Sequence, residues 1–154
     1  MLRSLVGSEM CIRDRLQIVL NAVEKGSNPW GCTDYLNQKK KILETGADVY
    51  ELMNDYPVHT KAVLINDRLS VVGSYNLDMR STYLDTELML VIDSEKLSQQ
   101  IHETESDYME KSKEVLANGQ ETEGAKYQGK VLNRKKKLYY GVLRIIIRPL
   151  RQLL

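Results

Sequence analysis

HTKAVLINDRLSVVGSYNLDMRS, residues 59–81, is the stretch that decides the fold of this chain. Residues 58–65, VHTKAVLI, are rich in β-branched and apolar side chains and read as a strand. Asn66-Asp67 reads as a tight turn, and residues 68–75, RLSVVGSY, as the strand that returns beside the first. Side chains alternate along a strand, so His59 and Lys61 share a face with Val63 and Ile65. On the return, Val72, Ser74 and Asn76 share one. In the next apolar run, residues 86–93, Glu87, Met89 and Val91 do the same. The expectation is a single pocket that collects His59, Lys61, Ser74, Asn76 and Glu87.

That set has a chemical logic. An imidazole serves as nucleophile or general acid near neutral pH. Ammonium and amide donors neutralise oxygens on which charge builds in a transition state. A carboxylate can fix an imidazole tautomer and stabilise its cation. The target this suggests is a phosphodiester. No metal or other cofactor is invoked, because His102 is the only other histidine and Cys11 and Cys32 are the only cysteines.

Outward from this stretch, the chain alternates strands and helices. Residues 16–23 and 47–52 read as strands, with a loop at 24–31. Thr33 or Asp34 is expected to cap a helix that runs to Thr45, where Gly46 ends it. Asp93 or Ser94 is expected to cap a long helix through about Ala117, with Leu97, Ile101, Tyr108 and Val115 as its apolar stripe. Residues 118–130 are polar and read as a linker. The tail, residues 131–154, mixes bases with bulky apolar residues, and Pro149 should kink or end its helix. The order predicts an α/β fold, a mixed β-sheet flanked by helices, followed by a basic amphipathic helix.

Composition sets bounds on function. The 154 residues are 42% hydrophobic and 28% charged, which is globular. The net charge of +1 conceals an asymmetry. Residues 130–154 hold eight bases and no acid, which leaves the other 14 of 22 bases against all 21 acids, a net of −7. An acidic body repels nucleic acid, whereas the tail is drawn to an anionic membrane surface. Two cysteines fit a reducing compartment. No run approaches the roughly 20 apolar residues of a spanning helix.

The combination HxK, hairpin, GSxN and downstream Glu resembles the phospholipase D superfamily, whose signature is HxKxxxxD followed by GSxN. Here it reads HTKAVLIN and then GSYN. The wider run GSYNLDMRSTYLDTELMLVID, with LQIVLNAV and NPWGCTDYL upstream, is similar to the C-terminal half of bacterial cardiolipin synthases and their relatives. The resemblance covers residues 16–117, read as a phospholipase D-like half-domain, with 118–154 as linker and tail.

The resemblance implies phosphatidyl transfer or phosphodiester hydrolysis on phospholipids through a phosphohistidine, at a bacterial membrane, peripheral or on its cytoplasmic side. Family members pair two motifs across a pseudo-twofold axis, so a first motif half or a second copy is implied as partner. Lys61, Ser74 and Asn76 would line the phosphoryl site. Glu87 would support the histidine, and His59, as the second motif, would be the general acid rather than the nucleophile. Asn66 stands where the motif has aspartate, a departure expected to be benign in a turn. The alternatives are a single-motif homodimeric phosphodiesterase or nuclease, and a non-catalytic membrane-associated module.

Several residues have competing readings. Trp30 and Tyr35 are read as core, with a lipid entrance as the alternative. Arg80 and Tyr83 would touch substrate or, for Arg80, form a buried pair. His102 is read as a surface residue and Cys32 as a non-catalytic thiol. Residues 5–15, LVGSEMCIRDR, match one translated frame of a sequencing-library adapter. Residues 1–15 are therefore set aside from the fold, and the native chain is expected to extend upstream.

Overall fold

The structure, a computed structural model, describes residues 16–129 and 132–153. The adapter-like segment lies outside them.

The expected α/β fold with a mixed sheet flanked by helices is present, and among the described residues a second, antiparallel sheet accompanies it. The first has the order β1-β2-β6-β7. Strands β1 (Gln17–Asn21) and β2 (Asp48–Leu52) pair in parallel, from Gln17↔Asp48 to Asn21↔Leu52, across helix α1 (Pro29–Leu43). Strand β6 (Ser112–Val115) lies antiparallel to β2, and β7 (Glu121–Glu123) antiparallel to β6. The second sheet is an antiparallel meander of β3 (Ala62–Ile65), β4 (Leu69–Gly73) and β5 (Met89–Asp93). Strands β3 and β4 are joined by the short turn at residues 66–68, whereas the connection from β4 to β5, residues 74–88, is long enough to hold a short helix. The long approach at residues 53–61 carries the chain away from β2, so β3 does not extend the first sheet.

Helix α1 begins earlier than Thr33. Asn28 is its cap, accepting from the N–H groups of Trp30 and Gly31 at 3.0 and 3.3 Å. Pro29 then occupies the first turn, where its missing N–H costs nothing. Thr33 is fully buried and returns its hydroxyl to Pro29 O at 2.7 Å. Gly46, at φ +87°, follows the helix as expected.

Helix α3 (Glu95–Glu110) starts at its Ser94 cap but stops well short of Ala117. The residues after it form β6, because the open edge of β2 offers a ladder that buries Ser112 and Val115. The polar segment read as a linker supplies β7. It then folds back, with the Gly124 N–H on Ser112 O at 2.9 Å and the Lys126 ammonium 2.6 Å from Glu110.

The core of the first sheet is Ala22, Val23, Ala47, Val49, Leu52, Met53 and Val115. Buried Glu51 sits beside it. Its carboxylate accepts from Lys39 at 2.6 Å and Tyr35 at 2.7 Å, and lies 3.1 Å from Lys113. Burial alone would push this carboxyl up, but the hydrogen bonds from Lys39 and Tyr35 and the two positive charges together hold it below the usual range. Tyr35 is thus half-buried at the core's edge, and it also lines the cavity described below. Trp30 is not core: it is 42% exposed on the first turn of α1, since early capping turns this position outward.

The second sheet packs on α3, where Ser70 and Ser98, both buried, meet at 2.9 Å. Small residues there let strand and helix approach closely. The opposite face presents Val63, Ile65, Leu69 and Val91, which are exposed among the described residues.

The tail forms helix α4 (Arg134–Ile147), capped by Asn133 and followed by a 3₁₀ segment, Arg148–Leu153, that holds Pro149. Helix α4 docks on α1 through Tyr140, Leu143 and Ile147. Arg144 fastens it, donating to Asn37 Oδ1 at 3.0 Å and to Leu36 O at 3.3 Å. None of the helices among the described residues is long and apolar enough to cross a membrane.

Candidate active site

His59 and Lys61 lie on the extended approach to β3 rather than inside it, since the ladder begins at Ala62. What holds this approach is Asn21, at the end of β1. Its side-chain amide donates to Val58 O at 2.7 Å and accepts from the Val58 N–H at 2.8 Å. One side chain thereby satisfies both backbone groups of the residue before His59, as a neighbouring strand would. Sequence reasoning missed Asn21. The only signal was a polar amide at the end of an apolar strand.

The Lys61 ammonium sits 2.7 Å from His59 Nδ1, 2.9 Å from Nε2 and 3.0 Å from His59 O. The two ring lone pairs diverge, so one ammonium cannot lie on both axes; this is a close contact between two donors of a site. Lys61 O also accepts from the Gly73 N–H at 3.2 Å, which joins HxK to the GSxN run.

Asn76 is fixed by Ser81, whose hydroxyl oxygen accepts from the Asn76 N–H at 3.2 Å and from Nδ2 at 3.4 Å. Ser81 lies on the short helix α2 (Met79–Tyr83), capped by Asp78 through the Ser81 N–H at 2.8 Å. His59, Lys61, Asn76 and Asp78 line one end of a cavity of about 1030 Å³. Its other walls are largely apolar: Val58, Val72, Ile92, Leu97, Ile101 and Tyr108. This is the form of a small-molecule site, apolar walls with a few convergent polar groups.

Ser74 and Glu87 stand beside this cavity, not in its wall. The Ser74 hydroxyl donates to the Glu87 carboxylate and accepts from the Leu88 N–H at 3.1 Å. Glu87 is held below the usual carboxylate range by the Ser74 hydroxyl first, then by Ser81, with the Lys61 charge adding to both. Among the described residues, no hydrogen bond joins it to His59. The five residues are therefore brought together as a polar trio at the cavity and an acid–serine pair next to it, with Ser81 touching both. Arg80 pairs with Asp85 at 2.9 Å on the surface, not in a buried pair. Cys32 lines the cavity, and burial pushes its thiol up, away from reactive thiolate.

Asn66 and Asp67 have φ of 51° and 52°, the left-handed region that Asn and Asp tolerate best after glycine. The length of β3 separates them from Lys61, roughly 13 Å of extended chain. Asn66→Asp should therefore change turnover of the complete protein by less than tenfold. A β-branched Asn66→Val should instead lower the unfolding midpoint, since φ > 0 is strained for it. A tenfold rise for Asn66→Asp would mean that the carboxylate acts on the site.

The PLD-like domain model of cardiolipin synthase matches residues 13–107, more than half of the chain. The chain belongs to this family. Among its relatives, cardiolipin synthase A of Proteus mirabilis is 37% identical over 94 residues, 61% of this chain and 19% of the relative. Cardiolipin synthase A of Serratia proteamaculans is 32% identical over 105 residues, covering 68% and 20%. That of Buchnera aphidicola is 37% identical over 73 residues, covering 47% and 15%. The chain thus spans about a fifth or less of the curated relatives it matches. The family match spans His59, Lys61 and Asn76 at the cavity and the Ser74–Glu87 pair beside it.

Proposed function

We propose that this chain is the second motif half of a longer bacterial phospholipid enzyme, a phosphatidyltransferase. The observation that carries the proposal is the placement of His59, Lys61 and Asn76 in the wall of a cavity whose other lining is mainly apolar, with Asn28, Gln100, Thr104 and Glu105 among its polar members. A phosphodiester needs the polar end. The apolar walls suit a lipid rather than a nucleic acid, as does the acidic body.

In this reading, one imidazole attacks phosphorus and the bond to the leaving alkoxide breaks, with the pair of electrons staying on oxygen. The alkoxide takes a proton from the other imidazole. That imidazole then accepts the proton of the incoming alcohol, which displaces the histidine from phosphorus. His59 is the acid and base, and the partner motif supplies the nucleophile. Lys61 and Asn76 donate to the phosphoryl oxygens, and Ser74 with Glu87 supports the loop that presents Asn76. The uncovered face of the second sheet is where the first motif half packs. The enzyme works at the bacterial membrane, with this half on its cytoplasmic side or peripheral to it.

The test is to purify the complete gene product and supply phosphatidylglycerol, reading cardiolipin and glycerol by mass spectrometry. Formation of both in equal amounts is expected. Hydrolysis of DNA or RNA with the lipid untouched would establish the single-motif nuclease reading instead. No turnover of either would leave the non-catalytic module.

A further inference from the structure

Helix α4 carries two apolar stripes, and only one of them is used. Tyr140, Leu143 and Ile147 bury themselves on α1. Leu138, Tyr139, Val142, Ile145 and Ile146 recur at helical spacing on another side and stay exposed, Leu138 at 72% and Ile145 at 71%. A helix that only needed to dock would carry polar residues there. Five large apolar side chains on three turns form a patch of the kind that marks an interaction surface.

Charge says what covers it. Lys137 and Arg148 lie on one flank, where Arg144 is turned to α1 instead, and Arg134, Lys135 and Lys136 crowd the first turn. Residues 130–154 contain no acid, whereas the rest of the chain is net negative. A second copy would bring its own bases against these. An anionic bilayer complements both the charges and the stripe.

The patch continues toward the site. The 3₁₀ segment after α4 lies against α2. Leu77, Tyr83 and Leu84, within α2 or at its ends, are all exposed. The cap of α2, Asp78, lines the cavity. We infer that the free stripe of α4 and the apolar ends of α2 form one face that rests on an anionic lipid surface, so that the cavity's polar end meets lipid headgroups. This goes beyond the transfer reaction and stands apart from it, because binding is read without turnover.

The test is co-sedimentation of the 154-residue chain with vesicles of phosphatidylcholine, with or without phosphatidylglycerol, at low and high salt. Binding should require phosphatidylglycerol and weaken with salt. Val142→Glu with Ile145→Glu should lower partitioning at least tenfold, and Leu84→Glu severalfold. Each of Lys135→Glu and Lys137→Glu should cost roughly fivefold or more. All five positions are exposed, and an unchanged circular dichroism spectrum and melting temperature would exclude unfolding. Vesicle binding that survives the Val142/Ile145 pair overturns the inference. So does a chain that dimerises in the ultracentrifuge, ignores vesicles and becomes monomeric in that variant, for then the stripe belongs to a second copy. Intact vesicle binding without lipid transfer would overturn the proposed function alone.

Discussion

Replacing His59 by alanine in the complete protein is expected to lower phosphatidyl transfer by about 10²–10⁴, the range that a positioned general acid contributes. Folding should be untouched. His59 is on an exposed approach, its recorded partner is Lys61, and Asn21 holds the backbone through Val58 instead. The same variant separates the two roles open to this histidine. If His59 protonates the leaving alcohol, a phosphodiester that leaves as p-nitrophenolate needs no proton, and His59→Ala should regain most of its rate on it. If His59 attacks phosphorus, the leaving group is irrelevant and no rescue follows. Protein quenched in denaturant at neutral to alkaline pH, where the acid-labile phosphorus–nitrogen bond survives, then decides the point independently. Phosphohistidine should still form in His59→Ala when the partner motif holds the nucleophile. Turnover within tenfold of the parent on the lipid would remove His59 from the mechanism.

What the sequence made legible was the local chemistry of the hairpin. Asn66-Asp67 could be read because few pairs tolerate consecutive positive φ, and both residues adopt it. The HxK and GSxN spacing carried the family. Alternation failed one step further out. It assumed that the strand began at Val58, but ladder pairing begins at Ala62, so the positions of His59 and Lys61 are set by Asn21 and by the Gly73 N–H on Lys61 O. Those are contacts 37 and 12 residues away in sequence, which no local pattern encodes.

Strands β6 and β7 were missed for a related reason. SKEV and ETE have poor strand propensity and lie next to a helical stripe, and only the open edge of β2 makes them strands. The start of α1 was missed because Asn-Pro reads as a turn, while here the same pair is a cap and a first turn. The division of labour around Glu87 could not be read either. Ser74 and Glu87 lie just past the ladder, which ends at Gly73↔Met89, so strand alternation does not account for their contact, and Ser81, which ties both Glu87 and Asn76, comes from a five-residue helix with no periodic signal.

The second large effect belongs to Gly73, the glycine of GSxN. Its role follows from space, not from backbone freedom. A Cβ placed there would sit 2.0 Å from Leu88 O and 2.9 Å from Met89 Cα. Both are backbone atoms of the segment entering β5, so no side-chain rotation relieves the overlap. Strand β5 must move off β4 at the register pair Gly73↔Met89. That is the end of the ladder where the Ser74 N–H bonds Leu88 O at 3.0 Å and where Ser74 holds Glu87. Gly73→Ala should therefore destabilise the chain by at least the roughly 1–3 kcal/mol of an overpacked core site. It should also lower turnover of the complete protein by tenfold or more at temperatures where the variant is still folded, because the loop leading to Asn76 shifts with Ser74. Urea denaturation of the 154-residue chain measures the first effect. Gly141→Ala is the internal control: nothing lies within 4 Å of a Cβ there, in the middle of α4, and the helix should gain roughly 0.5–1 kcal/mol. If the two alanines moved the unfolding midpoint alike, the close approach of β5 to β4 would not be what the motif glycine is for.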